Sequence, residues 1–194
     1  MKILVAVPTF ENICPETFKS IYDLDKGGHD VSFEFVKGYD CAKARNEIVK
    51  KTKEGGYDYC LMVDSDIILQ QDTLLRFMDD PVDICFGLYP HKNTKDRTIE
   101  MFKTGQYNFE KKFSYDELTG GRIKVKGAGF GCAFIKTSVF EKLKYPWFKF
   151  VSYDNGTFLS EDLYFCDVAA KAGYELWADT RIRCGHMARF FQWE

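Results

Sequence analysis

Residues 57–66 read Tyr57-Asp58-Tyr59-Cys60-Leu61-Met62-Val63-Asp64-Ser65-Asp66, an apolar run of buried-strand character that stops abruptly at two carboxylates. In an extended chain alternate side chains share a face, so Asp64 and Asp66 are expected to point the same way. Held about 5 Å apart at an effective dielectric of about 20, two such charges repel by roughly 3 kcal/mol unless a cation lies between them. The pair therefore outlines a cation site. The plainer reading is a polar strand end that caps a following helix, and an isolated Asp-x-Asp does not separate the two.

Working outward, strand and helix patterns alternate from the start of the chain. Residues 3–7 read as a buried strand, and the apolar run stops at Pro8, too short for a secretory signal segment. Pro15 opens a helix with Phe18, Ile21 and Tyr22 on one face, closed by Gly27 and Gly28. A strand over 31–36, a helix over 42–53 and a stop at Gly55-Gly56 lead into the stretch that ends at Asp64. Asp72 is placed to cap a helix through Met78, and 82–88 is strand-like again. This alternation predicts one α/β domain over 1–194 with a mostly parallel sheet flanked by helices. Open sheets of that kind bind ligands at the carboxyl ends of their strands, where Pro8, Thr9, Asp64 and Asp66 fall.

The second half is less regular. Residues 91–126, with a Thr119-Gly120-Gly121 turn, read as a mobile excursion holding one hairpin. A glycine-rich strand over 127–135 has the small residues that let another group approach its backbone. A short helix over 138–143, a helix from Ser160 to Ala172 with Glu161 and Asp162 in its first turn, and short strands over 174–178 and 181–184 precede Gly185-His186-Met187. Acidic residues in a first turn also stabilise a helix through its dipole, which is the plain reading of Glu161 and Asp162.

Composition excludes several function classes. A net charge of -2 provides no field to hold nucleic acid, and no apolar stretch is long enough to span a membrane. The seven cysteines are scattered, odd in number and form no Cys-x-x-Cys pair, so they are expected as reduced thiols in a cytoplasmic protein. Eighteen Phe and eleven Tyr are a high aromatic content, for which core packing is the plain reading and a pocket or partner surface the functional one. Tyr145-Pro146-Trp147-Phe148 and Phe190-Phe191-Gln192-Trp193 could stack on an acceptor, close a lid, pack in the core or form a homodimer contact.

Asp64-Ser65-Asp66 at a strand end, Glu161-Asp162 opening a helix and the late Gly185-His186 together resemble the nucleotide-sugar glycosyltransferases of the GT-A fold, family 2-like enzymes in particular. Val5-Ala6-Val7-Pro8-Thr9-Phe10 resembles that family's first strand and nucleotide-binding turn, and Ala44-Arg45-Asn46 its second helix. The resemblance spans residues 3–187. It implies that Asp66 ligates manganese or magnesium bridging the donor diphosphate, that Asp64 reaches the ribose or the metal's water shell, and that His186 completes the metal site. Asp162 is implied as the general base of an inverting displacement, with Glu161 positioning acceptor or sugar. Pro8, Thr9, Phe10, Glu11, Asp40, Arg45, Ser65, Lys92 and Gly129 fill out the implied site for a UDP or GDP sugar. Related enzymes that retain configuration share the metal site, so the stereochemistry stays open.

Sugar transfer breaks the bond from the anomeric carbon to a diphosphate oxygen, and a hard divalent cation stabilises the departing charge. A glycan, lipid-linked or protein hydroxyl is the expected acceptor, with no nucleic acid and no membrane span. Many family members read uracil with an Asp after strand two; the segment here is Phe35-Val36-Lys37-Gly38-Tyr39-Asp40, which leaves Asp40 for that task and the base open. The long C-terminal region of processive synthases is missing, so transfer of a single sugar is expected. Two rivals remain. A nucleotidyltransferase needs a Gly-rich basic loop after the first strand, and Pro8-Thr9-Phe10-Glu11-Asn12 is neither. A binding module of the same fold without turnover would have no need of Asp66, Asp162 and His186 together.

Overall fold

A computed structural model describes residues 1–38, 40–92, 98–103, 113–154, 156 and 158–187. In chain order the elements begin with β1 (Lys2–Thr9), α1 (Pro15–Tyr22), β2 (Asp30–Lys37), α2 (Cys41–Glu54) and β3 (Tyr59–Val63). They continue with β4 (Ile67–Ile68), α3 (Thr73–Met78), β5 (Ile84–Leu88), β6 (Met101–Phe102) and a 3-10 turn at Tyr115–Glu117. Next come β7 (Arg122–Val125), β8 (Gly127–Ala128), β9 (Cys132–Lys136), α4 (Thr137–Lys142), β10 (Val151–Ser152) and β11 (Phe158–Leu159). The last are α5 (Glu161–Lys171), β12 (Leu176–Arg183) and β13 (Gly185–His186).

A seven-stranded sheet in the order β2-β1-β3-β9-β5-β12-β7 organises the molecule. β2, β1, β3, β5 and β12 run one way, while β9 and β7 run against them. The sheet is therefore mostly parallel, as the alternating pattern predicts. Its apolar residues divide between two faces. Leu4, Ala6, Cys60, Met62 and Phe86 pack under α2 and α5, and Ile3, Val5, Leu61, Cys85 and Phe134 pack on the side of α1 and α3.

Four expectations change. The single strand expected over 127–135 is two: β8 pairs with β6, and β9 enters the central sheet between β3 and β5, antiparallel to both. The two short strands expected over 174–184 are one strand, β12, whose pairing with β5 shifts between Asp179 and Arg183. Asp179 is fully buried there and takes Arg181 at 2.7 Å, a polar break that disguises a continuous strand with a bulge. Third, α1 ends at Tyr22 and buries Thr17, Ser20 and Ile21, leaving Phe18 and Tyr22 exposed, since its inner face packs toward β4, where Ser20 Oγ accepts from Leu69 N–H at 3.0 Å. Fourth, Asp72 occupies the N-cap position of α3 as expected, but its carboxylate makes no capping hydrogen bond and accepts instead from Arg76 Nε at 2.7 Å.

Residues 93–97 and 104–112 of the expected excursion lie outside the described residues. Its described parts are built into the fold: β6 pairs with β8, β7 joins the sheet beside β12, and Met101 and Leu118 are fully buried. The Thr119-Gly120-Gly121 turn is pinned by Thr180, whose N–H donates to Gly121 O at 2.9 Å. All seven cysteines are free, and Cys60, Cys85, Cys132, Cys166 and Cys184 are buried as small apolar side chains. Trp147 and Phe148 are core residues, 6% and 1% exposed, which removes them as acceptor platforms. Phe190-Phe191-Gln192-Trp193 lies outside the described residues. Among the described residues no helix is long and apolar enough to cross a membrane.

Candidate functional site

A cavity of about 650 Å³ opens at the carboxyl ends of β1, β3 and β5. Pro8, Thr9 and Phe10 line it from the end of β1, Asp40 and Cys41 from the start of α2, and Asp64, Ser65 and Asp66 from the end of β3. Lys92, Gly129, Asp162 and His186 complete the list of expected residues on its wall. Glu11 instead borders a neighbouring cavity of about 420 Å³ with Phe10, Lys37 and Gly38.

The aspartate pair does not behave as an extended strand end. β3 stops at Val63, and Ile67 N–H donates back to Asp64 O at 3.1 Å, so residues 64–67 form a turn. The alternation that would align the two carboxylates is lost there. Asp64 accepts from Arg45 Nη2 at 2.7 Å, whereas Asp66 binds the Lys92 ammonium and lies 3.5 Å from His186 Nε2. The Arg45 guanidinium on Asp64 and the Lys92 ammonium on Asp66 relieve the repulsion expected between the aspartates.

His186 arrives through backbone pairing. β13 runs antiparallel to β4 with His186 opposite Ile67, and Met187 N–H donates to Asp66 O at 2.9 Å. Pro90 O accepts from His186 Nδ1 at 2.7 Å, which leaves Nε2 as the nitrogen facing Asp66. Burial raises the Asp66 carboxyl, but the His186 and Lys92 contacts outweigh it and bring it down to about 2. Asp66 is thus an anion throughout the neutral range. Among the described residues no three His, Cys, Asp or Glu side chains gather as a metal cluster; the cavity wall carries two carboxylate–imidazole pairs, Asp66 with His186 and Glu100 with His91.

Arg45 departs most from its implied role of touching nucleotide. Its side chain is buried on α2, and its guanidinium forks between Asp64 and Glu161 while lying 5.4 Å from the Phe130 ring centroid. Desolvation disfavours the charged guanidinium, but Asp64, Glu161 and Asp162 hold it firmly protonated. Glu161, 6% exposed, is turned onto Arg45 and does not line the cavity. Asp162, one residue on, does. It accepts from its neighbour Ser160 and from Leu163 N–H at 2.8 Å, and burial raises its carboxyl above the ordinary aspartate value.

Asn46, the third residue of the Ala-Arg-Asn run, is structural. Its Oδ1 accepts from Trp147 N–H at 3.0 Å and Phe148 N–H at 3.2 Å, and its Nδ2 donates to Phe148 O at 2.7 Å. Asp40 serves as the N-cap of α2, accepting from Lys43 N–H at 2.7 Å while its side chain borders the cavity.

Tyr89, His91 and Glu100 also line the cavity and escaped the sequence reading. Tyr89 is the group that the glycines of 127–131 admit. A Cβ at Gly129 would lie 2.1 Å from Tyr89 Oη, and one at Gly131 would lie 2.7 Å from its ring. The ring meets His186 edge-on at 5.4 Å between centroids. The Tyr-Pro-His-Lys run over 89–92 carried the signal, since it leaves β5 at the cavity with polar tips.

No protein-family model matches the chain, and no curated protein matches it. Solved structures do. A197 from STIV aligns over 97% of this chain and 87% of its own, with 20% identity and a TM-score of 0.63. GalNAc-T7, solved with UDP, GalNAc and Mn2+, aligns over 100% of this chain and 45% of its own, with 12% identity and a TM-score of 0.64. The inositol-1-phosphate CTP transferase from T. maritima reaches a TM-score of only 0.49 at 9% identity, over 96% of this chain and 89% of its own, too low to argue from. At such identities a likeness concerns architecture, and the architecture of this chain is the GT-A, nucleotide-diphospho-sugar transferase fold.

Proposed function

We propose that the chain is a metal-dependent, family 2-like glycosyltransferase that moves one sugar from a UDP or GDP sugar to an acceptor hydroxyl. The observation that carries this reading is the convergence of Asp66, His186 and Asp162 on one cavity from three separated elements.

The donor set suits a divalent ion. One carboxylate and one imidazole nitrogen face each other beside a spot where the Lys92 ammonium already rests on Asp66. Magnesium and manganese bind through one or two such groups and take their other ligands from phosphate and water. Charge supports the same conclusion. Asp40, Asp64, Asp66, Glu100 and Asp162 line the cavity against the single ammonium of Lys92, so an anionic diphosphate would be repelled without an added cation. When bound, the ion supplies Lewis-acid stabilisation of the departing diphosphate, as befits a fold that in GalNAc-T7 is seen with UDP and Mn2+.

The chain's own residues divide the remaining work. Pro8, Thr9 and Phe10, with Asp40, hold the nucleoside end, and Ser65 and Lys92 lie where phosphates pass. Asp64, fixed by Arg45, presents its remaining oxygen to the ribose. Gly129 lies under the donor sugar beside Tyr89. Asp162 takes the acceptor proton as the hydroxyl attacks, which inverts the anomeric centre, and its raised pKa suits a base better than an ordinary aspartate would be suited. Glu161 acts through Arg45.

Thermal unfolding with UDP, GDP and their sugar conjugates, each with and without Mn2+, tests the donor half. Ligand at about 100 times its Kd adds roughly 2.7 kcal/mol, a shift on the order of 5–10 °C at this size. The shift should require Mn2+ and vanish in Asp66→Ala. Asp162→Asn should keep the shift and lose transfer; normal transfer by that variant removes Asp162 from its role.

A further inference from the structure

We propose that the outer edge of β2 is a two-fold dimer interface, pairing antiparallel with β2 of a second copy of this chain. β2 ends the seven-stranded sheet, and among the described residues no strand pairs with its outer side. The eight residues Asp30–Lys37 thus present a row of backbone donors and acceptors with no proline or bulge to blunt it. Beside that row stands a cluster of three exposed aromatic side chains. Phe18 is 49% exposed, Tyr22 75% and Phe35 42%. Phe18 stacks on Tyr22 at 6.5 Å and on Phe35 at 6.1 Å.

A two-fold interface must be complementary to itself, and the β2 sequence meets that condition in one central register. Val31, Phe33 and Phe35 face α1, while Glu34 and Val36 face α2, where Glu34 binds Lys51 at 2.8 Å. In a continuous sheet opposed residues share a face, so a slip by one residue sets apolar side chains against polar ones. With the axis at Phe33, Phe33 opposes its own copy, Val31 opposes Phe35 and Ser32 opposes Glu34. The α1 face then pairs aromatic with aromatic and aromatic with β-branched residues, and the other face pairs a hydroxyl with a carboxylate. Moving the axis to Glu34 sets that carboxylate against itself. Moving it to Ser32 opposes Asp30 and Glu34. Both neighbouring registers therefore place like charges directly opposite, which selects the axis at Phe33. In that register the Phe18 and Phe35 rings lie against Val31 of the second copy and lose their exposure to water.

Analytical ultracentrifugation of the full chain across a concentration series, with single-cysteine cross-linking, tests the interface. The wild type should sediment at twice the 22.5 kDa chain mass. Phe35→Lys and Tyr22→Lys, both at exposed positions, should sediment as monomers with unchanged thermal unfolding of the monomer fold. With Cys14 and Cys41 replaced by serine, the five remaining native cysteines are buried. In that background Phe33→Cys should oxidise to a covalent dimer, and Glu34→Cys and Phe35→Cys should not. A wild type that stays monomeric at all concentrations, a dimer that survives both lysine variants, or cross-linking at residue 34 or 35 in preference to 33 overturns the proposal.

Discussion

Replacing Arg45 by methionine tests the wiring of the acidic cluster. The guanidinium is 2% exposed and serves two carboxylates from different elements, Asp64 at 2.7 Å after β3 and Glu161 at the start of α5. Methionine fills most of the volume, so the loss is electrostatic rather than steric. Glu161, 6% exposed, is then left buried without its cation and with the carboxylates of Asp162 and Asp64 nearby. Breaking a buried pair in this way costs about 3–5 kcal/mol. For a chain of this size that lowers Tm by on the order of 10 °C.

The pH dependence separates this account from a simple packing defect. Burial raises the Glu161 carboxyl above its ordinary value, Arg45 pulls it down, and Asp162 and Asp64 push it up. A carboxyl whose folded-state pKa exceeds its unfolded value binds more protons when folded. Its contribution is therefore most favourable at low pH and is lost as the pH rises through the folded value. Removing Arg45 raises that folded value further. The deficit of Arg45→Met should be largest at neutral pH and shrink in mildly acid solution, as Glu161, with its raised carboxyl, accepts a proton. Denaturant unfolding of both proteins at neutral and at mildly acid pH measures it. A deficit of equal size at both, or none at neutral pH, refutes the reasoning. Arg45→Lys, which keeps the charge and loses the fork, should fall between.

Three further outcomes are expected. Because burial raises the Asp162 carboxyl, with Arg45 and Ser160 opposing it, the transfer rate should climb with pH about a midpoint above the ordinary aspartate range, measured as kcat against pH. Asn46→Ala leaves the Trp147 and Phe148 N–H groups and Phe148 O without partners in the core, a loss of about 3 kcal/mol or more by denaturant unfolding. Gly129→Ala puts a methyl 2.1 Å from Tyr89 Oη, so Tyr89 must move from its contact with His186; Tm should fall by a few degrees and nucleotide affinity with it, read by thermal unfolding and titration.

The elements legible in the sequence are those that satisfy their own periodicity. β1, β2, α2 and β3 fall within a residue or two of the apolar runs that mark them, because each is long enough for a buried face to repeat. The order of strands in the sheet was less legible. The apolar content of β9 says that it is buried on both faces and nothing about its direction, which depends on where the chain re-enters after residue 126. The face of α1 misled for a related reason. Phe18, Ile21 and Tyr22 have helical spacing, but α1 turns the face of Thr17, Ser20 and Ile21 inward toward β4, where Ser20 Oγ accepts from Leu69 N–H, a polar anchor that apolar periodicity does not register.

At the site, identity was easier to read than geometry. Asp64, Asp66, Asp162 and His186 were singled out by residue type and order, and the structure gathers all four around one cavity. Their partners were hidden because two-residue bridges such as β4 with β13 are too short to leave any periodic trace. That bridge is what brings His186 to Asp66 across 120 positions of chain, and the turn after Val63 is what sends Asp64 away to Arg45. The two aspartates of one motif are thereby assigned to different charges: Asp64 to a fixed guanidinium in the core, Asp66 to an ammonium and an imidazole at the cavity wall. A fixed partner makes Asp64 an anchor, whereas the exchangeable ammonium of Lys92 leaves Asp66 able to trade one cation for another. Substitution at Asp64 should therefore cost stability first, and substitution at Asp66 should cost ligand binding first, a separation that spacing within the motif alone could not have announced.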